Sequence, residues 1–149
     1  MSLKPFTLLL VDDNPADVKL MEDTICRWET PCEIHTVGDG ESALNFLYQS
    51  KGRQHAPRPH LIFLDLGTPK LDGFDLLRTV KEDSALRAIP IVVFAGDRAP
   101  AQVQQAYDLR ANAYVAKPMN LDEYLQVLNA TGEYWLKIVS LPHKGIGPS

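Results

Sequence analysis

Two cysteines are all that the 149 residues contain, and no second spaced pair accompanies them. Cys26 and Cys32 lie near His35, but a structural zinc site needs four such ligands, so free thiols in a reducing cytosol are the simpler reading. Basic residues are outnumbered, 15 against 19 acidic, and the formal net charge is -4. A surface built to neutralise many nucleic-acid phosphates is excluded on that balance. Long apolar runs are missing too. The opening MSLKPFTLLLVDDN has only a short one, closed at once by Asp12 and Asp13, which fits neither a secretory signal nor a membrane span and points to a soluble cytoplasmic protein. No internal repeat or low-complexity tract interrupts the chain, and its length leaves room for one domain.

What is present is a strict alternation of apolar runs and helical patterns. FTLLLV (6–11) is a continuous run suited to a strand covered on both faces. Asn14 and Pro15 then supply a helix cap and a first-turn proline, with Val18, Met21, Ile25 and Trp28 recurring at helical spacing. CEIHTV, LIFLD, IPIVVFA and AYVAK read as four more strands, and ESALNFLYQ, GFDLLRTVKED and the stretch from Pro100 to about Leu109 as the helices between them. Asn120 followed by Glu123 opens a fifth helix in the manner of a capping box. Five βα units in alternation imply an α/β fold, a doubly wound five-stranded parallel sheet with helices on both faces. The basic, proline-rich segment 50–60 reads as an exposed loop, with a contact surface as the sharper alternative.

Ligands of such sheets sit at the carboxyl ends of the strands, near the point where strand order reverses. Asp12 and Asp13 end the first strand, Asp65 the third and Lys117 the fifth, so three carboxylates and an ammonium converge from distant parts of the sequence. A lone aspartate at a strand end is ordinarily a turn former or helix cap. Three so close together would repel unless a cation sat among them, and an all-oxygen set suits Mg²⁺. With such an ion bound, one carboxylate stays ionised as a nucleophile towards phosphorus while Lys117 neutralises charge on the transferring group.

VDDN, then DLGTPKLDG, then AYVAKP together resemble the receiver domain of two-component response regulators, over roughly residues 6–130. That resemblance implies a flavodoxin-like sheet of order 2-1-3-4-5 and a domain over 1–130, with 131–149 as its C-terminal extension. It makes Asp65 the phospho-acceptor and Asp12, Asp13, Asp65 and the backbone carbonyl of Gly67 the Mg²⁺ ligands. Lys117 would contact the phosphoryl group, Pro118 would follow a cis peptide and Tyr114 would be the aromatic that moves on activation, packing at a strand edge being its plain alternative. Such a domain is no independent enzyme. It catalyses only its own phosphoryl transfer and dephosphorylation, with a sensor histidine kinase as partner. VDDNPADVKL, the loop ending in APRP and the tail EYWLKIVSLP are also similar to the stand-alone regulators that partner cyanobacterial phytochromes.

One position departs from the pattern. Strand four of a receiver ends in Thr or Ser, whose hydroxyl bonds a phosphoryl oxygen, and here Ala95 stands there. A degenerate receiver, an interaction module without regulated phosphorylation, is therefore the second reading. A haloacid-dehalogenase-type phosphatase would need an acid where Gly67 stands, and a flavin carrier would not place DDNPAD where phosphate must bind. Finally, Leu121, Leu125, Leu128, Gly132, Trp135 and Val139 form a narrow apolar stripe that outlasts the domain. We expect a homodimer through helix four, strand five, helix five and the tail, the alternative being a tail folded onto its own domain.

Overall fold

The computed structural model describes residues 5–66 and 72–142. Five strands, β1 (Phe6–Val11), β2 (Cys32–Val37), β3 (Leu61–Asp65), β4 (Ile91–Ala95) and β5 (Ala113–Ala116), alternate with helices α1 (Pro15–Ile25), α2 (Gly40–Leu47), α3 (Gly73–Glu82), α4 (Pro100–Asp108) and α5 (Leu121–Glu133). All pairings are parallel and the order is β2-β1-β3-β4-β5. The expected topology holds.

Side-chain alternation along the strands divides the core in two. Leu9, Val11, Ile62, Leu64, Ile91 and Val93 face one side, where α2, α3 and α4 supply Phe46, Leu76, Leu77, Val80 and Ala106. Leu8, Leu10, Leu61, Phe63, Val92 and Phe94 face the other, where α1 and α5 supply Met21, Ile25, Tyr124 and Leu128. Full burial of each such side chain is worth roughly 1.5–3 kcal/mol, so the central strands are held by both layers at once. The sequence of β3, apolar at four successive residues, is what this double cover requires.

Helix starts follow the cap chemistry. Asn14 Oδ1 accepts from the backbone N–H of Ala16 at 2.9 Å and of Asp17 at 3.2 Å, with Pro15 in the first turn. Asn120 Oδ1 likewise accepts from Glu123 N–H at 3.1 Å.

The C-terminal stripe is covered at Leu128, Gly132 and Trp135, as expected, but not at its start. Tyr124, Leu128 and Gly132 are buried, whereas Leu121 is exposed. Leu121 is the first residue of α5, and the buried run begins one turn later at Tyr124. After Glu133 the helix widens into a π-turn, Tyr134–Ile138, closed by Val139 N–H donating to the Tyr134 carbonyl at 3.0 Å. Trp135 and Leu136 pack on the α1/α5 core. The Trp28 indole lies over Gly132 and donates from Nε1 to Asn129 Oδ1 at 2.8 Å, and Lys137 reaches Glu29 at 2.7 Å. The described part of the tail thus folds onto its own domain.

A Cβ at residue 132 would meet the Trp28 ring at 2.5 Å. Gly132→Ala is expected to lose about 1–2 kcal/mol in urea unfolding although alanine is the better helix former, because overpacking outweighs propensity. Equal or greater stability would mean that the indole gives way freely.

Candidate functional site

The sheet brings its acids and its lysine to one edge, and the lysine sits among them. Lys117, just past β5, places Nζ 2.7 Å from Asp65 Oδ2 at the end of β3 and 3.0 Å from Asp17 Oδ2 in the first turn of α1. Asp12 Oδ2 lies 3.9 Å away, too far for a hydrogen bond but close in charge. Lys117 is positioned by its own backbone, since its N–H donates to the Ala95 carbonyl at 2.7 Å and so continues the β4–β5 ladder. Asp12 is fixed from the other end, one carboxylate oxygen accepting from Asn14 N–H at 2.9 Å. The same Asn14 caps α1 and thereby aims Asp17 at the ammonium.

Asp17 is the residue that sequence reading missed. In the sequence a first-turn acid such as this one reads as a response to the helix dipole and takes no part in the site. The signal that could have found it is its place, the first turn of the helix that leaves the end of β1. Asp13, expected as a ligand, is exposed, and the acids whose ligand atoms come within 4.8 Å of one another are Asp12, Asp17 and Asp65. Gly67 lies outside the described residues.

The remaining expectations concern the end of β4 and the start of α5. Ala95 is buried and offers no hydroxyl. Tyr114 packs against the α2/α3/α4 core, its hydroxyl donating to the Asp97 carbonyl and accepting from Gln102 Nε2 at 2.8 Å. Asp97 Oδ1 is taken by the N–H of Ala99 at 2.8 Å, which shapes the turn into α4. The peptide before Pro118 is trans, and no peptide bond among the described residues is cis, which corrects the expectation drawn from resemblance.

Electrostatically the cluster is strained at Asp12. Burial pushes its carboxyl up to about 6, helped by Asp65 and Asp17 and opposed by the Asn14 N–H and by Lys117. Burial works against the Lys117 ammonium as well, but its bonds to Asp65 and Asp17 prevail and hold it well above the usual lysine range. Asp12 Oδ2 is buried with no hydrogen-bond partner. An orphaned carboxylate oxygen beside two further carboxylates is a donor set that fits a hard divalent cation.

The Asp12 charge has a consequence for stability. Between the ordinary 3.8 and about 6 the folded protein keeps a proton that the unfolded chain has released, so stability falls as pH rises through that window. Without divalent cations, Asp12→Asn is expected to raise stability by about 1–2 kcal/mol at neutral pH, a gain that shrinks as pH falls through that window and is gone by about pH 3, where both states are protonated. Urea unfolding at the two pH values measures it. A gain independent of pH would show that ionisation of Asp12 carries no cost in this site.

Comparison with known proteins places the sequence and the fold. The response regulator receiver domain family model matches residues 8–129. The chain is 34% identical to the response regulator Rcp1 of Synechocystis over 138 residues, covering 93% of this chain and 94% of that one. Among solved structures, the phosphorylated cyanobacterial phytochrome response regulator RcpA superposes with a TM-score of 0.90 at 36% identity, covering 93% and 99% of the two chains. The Mn²⁺-bound form of Rcp1 follows at 0.89 and 34%, with the same coverage. RPA3017, a response regulator in red light signalling of R. palustris, gives 0.84 at 27%, covering 92% and 98%. With sequence and backbone alike over nearly its whole length, the chain belongs to the response regulator receiver domain family.

Proposed function

We propose that this protein is a stand-alone response regulator that accepts a phosphoryl group on Asp65 from the phosphohistidine of a sensor histidine kinase of phytochrome type. The observation that carries the reading is the Lys117 ammonium 2.7 Å from Asp65 Oδ2, with Asp12 and Asp17 beside it. An Asp65 oxygen attacks phosphorus and the P–N bond to the kinase imidazole breaks, its electron pair staying on nitrogen. An acyl phosphate remains on Asp65. Lys117 then serves the phosphoryl oxygens, where its charge is worth most because the site is partly buried. We assign Mg²⁺ to Asp12, Asp13, Asp65 and the Gly67 carbonyl, with Asp17 adjoining. When bound, it supplies positive charge to the transferring group. The kinase type rests on likeness to regulators described as phytochrome or red-light proteins.

No described helix is long and apolar enough to cross a membrane, and the proposed partner places the protein in the cytoplasm. A degenerate receiver, used as an interaction module without phosphorylation, is favoured by one observation, the missing hydroxyl at Ala95. The intact Asp65–Lys117 pair favours phosphorylation. Incubation with acetyl phosphate and Mg²⁺ is expected to add one phosphoryl group by intact mass, lost with EDTA and in Asp65→Asn. No gain in mass would leave the module reading.

We also propose a homodimer on the face of α4, β5 and α5, where Tyr107, Met119 and Leu121 are exposed, continued by Tyr134 and Ile138 of the tail. Sedimentation velocity at micromolar concentrations is expected to show the dimer, weakened by Leu121→Glu. A monomer in every condition, phosphorylated or not, would exclude it.

A further inference from the structure

Three buried side-chain polar atoms lack a hydrogen-bond partner among the described residues: Asp12 Oδ2, His35 Nε2 and the Tyr124 hydroxyl. Asp12 belongs to the acid cluster, and His35 Nε2 has Glu33 Oε2 at 3.5 Å. Tyr124 is different. Its residue is 6% exposed, and phenylalanine would fill the same place without leaving a hydroxyl unsatisfied.

Where that hydroxyl lies gives it a use. Side chains on a helix lean towards its N-terminus, and for α5 that is the end at which β5 delivers Lys117. Tyr124 shares its core with Met21, and Met21 stands one turn of α1 below Asp17. The ring therefore packs where α1 meets α5, within the field of Lys117 and Asp17. Consistently, burial pushes the phenol up to about 12, and Lys117 is the charge it feels most, ahead of Asp17, Asp12 and Asp65. Lys117, for its part, spends two N–H donors on Asp65 and Asp17 and has a third to give.

We propose that Tyr124 is a positioning residue of the phosphoryl site, its hydroxyl oxygen accepting the remaining N–H of Lys117 when that ammonium leaves Asp65 Oδ2 for the incoming phosphoryl group. The inference rests on the reading that Lys117 serves a phosphoryl group at Asp65. A lysine is a point charge on a flexible stem and needs an anchor to stay aimed during transfer. Another carboxylate there would compete with the phosphoryl oxygens for the ammonium. A phenol is a neutral acceptor, so it holds Lys117 without drawing it away. Asp17 and Tyr124 would then act as two fixed points, one charged and one neutral, on either side of the Lys117 swing.

The test is Tyr124→Phe in the full chain, beside the natural protein, with acetyl phosphate and Mg²⁺. Phosphoryl uptake at saturating acetyl phosphate is expected to slow by about three- to tenfold with little change in the half-saturating concentration, because a transition-state contact is lost and not ground-state binding. The thermal midpoint should be unchanged or higher, since an unsatisfied hydroxyl has been removed. In the beryllofluoride complex, a phosphoryl mimic, the Lys117 ε-methylene NMR signals should shift and broaden in the variant. An unchanged uptake rate, or a slower rate with unchanged Lys117 signals, would overturn the proposal. Failure of the natural protein to take up phosphate would overturn the underlying reading of Asp65, and this one with it.

Discussion

Everything at the carboxyl edge of this sheet turns on one ammonium placed among three carboxylates. Asp12, Asp17 and Asp65 could not share so small a volume as free anions, and Lys117 is what lets them. It contributes a hydrogen bond to two of them and a field to the third. The arrangement is not neutral, since three negative charges face one positive. The excess falls on Asp12, the most buried acid of the three, whose second oxygen has no partner. A cluster tuned purely for stability would not carry such an oxygen. One tuned to receive cations and phosphoryl groups would, because preorganised charge costs least at the moment it is used.

The elements that hold this cluster were largely legible in the sequence. A strand apolar at Leu61, Ile62, Phe63 and Leu64 and ending in Asp65 can only be a central strand with its acid at the open edge. The Asn14–Pro15 pair fixed the start of α1, and alternation of strands and helices fixed the parallel sheet. What the sequence withheld was what depends on three-dimensional approach. Asp17 and Tyr124 both sit on helices, and their roles follow from which face of α1 meets which face of α5. Periodicity gives a face only to within about one residue. That margin put Leu121 at the head of the buried run in place of Tyr124 and hid the phenol, while Leu128 and Gly132 lay where the pattern put them. The expected cis bond before Pro118 is a different case, since it is carried over by resemblance and follows from no pattern of residues in the chain.

The tail shows how packing decides between two uses of one pattern. Trp28, Gly132, Trp135 and Leu136 fit together because position 132 has no side chain, so the indole can lie on the helix backbone. Apolar residues that read as an offered surface are in part already used. The exposed ones that remain, Tyr134 and Ile138, open and close the same π-turn whose Trp135 and Leu136 are covered, so one short segment carries both uses.

Tyr114 has a consequence of another kind. Its hydroxyl ties β5 to the loop after β4, its N–H donates to the Tyr107 hydroxyl at 3.2 Å, and three residues on, Lys117 joins the acid cluster. The exposed α4–β5–α5 face and the buried charge site are therefore two ends of one four-residue strand. Thermodynamic reciprocity applies to any two ligands that bias the same element. A partner that binds this face and favours one placement of Tyr114 must change the equilibrium affinity of the charge site by the same factor by which occupancy of that site changes the partner's. The shortest strand of the sheet would then be a balance arm, read equally well from either end.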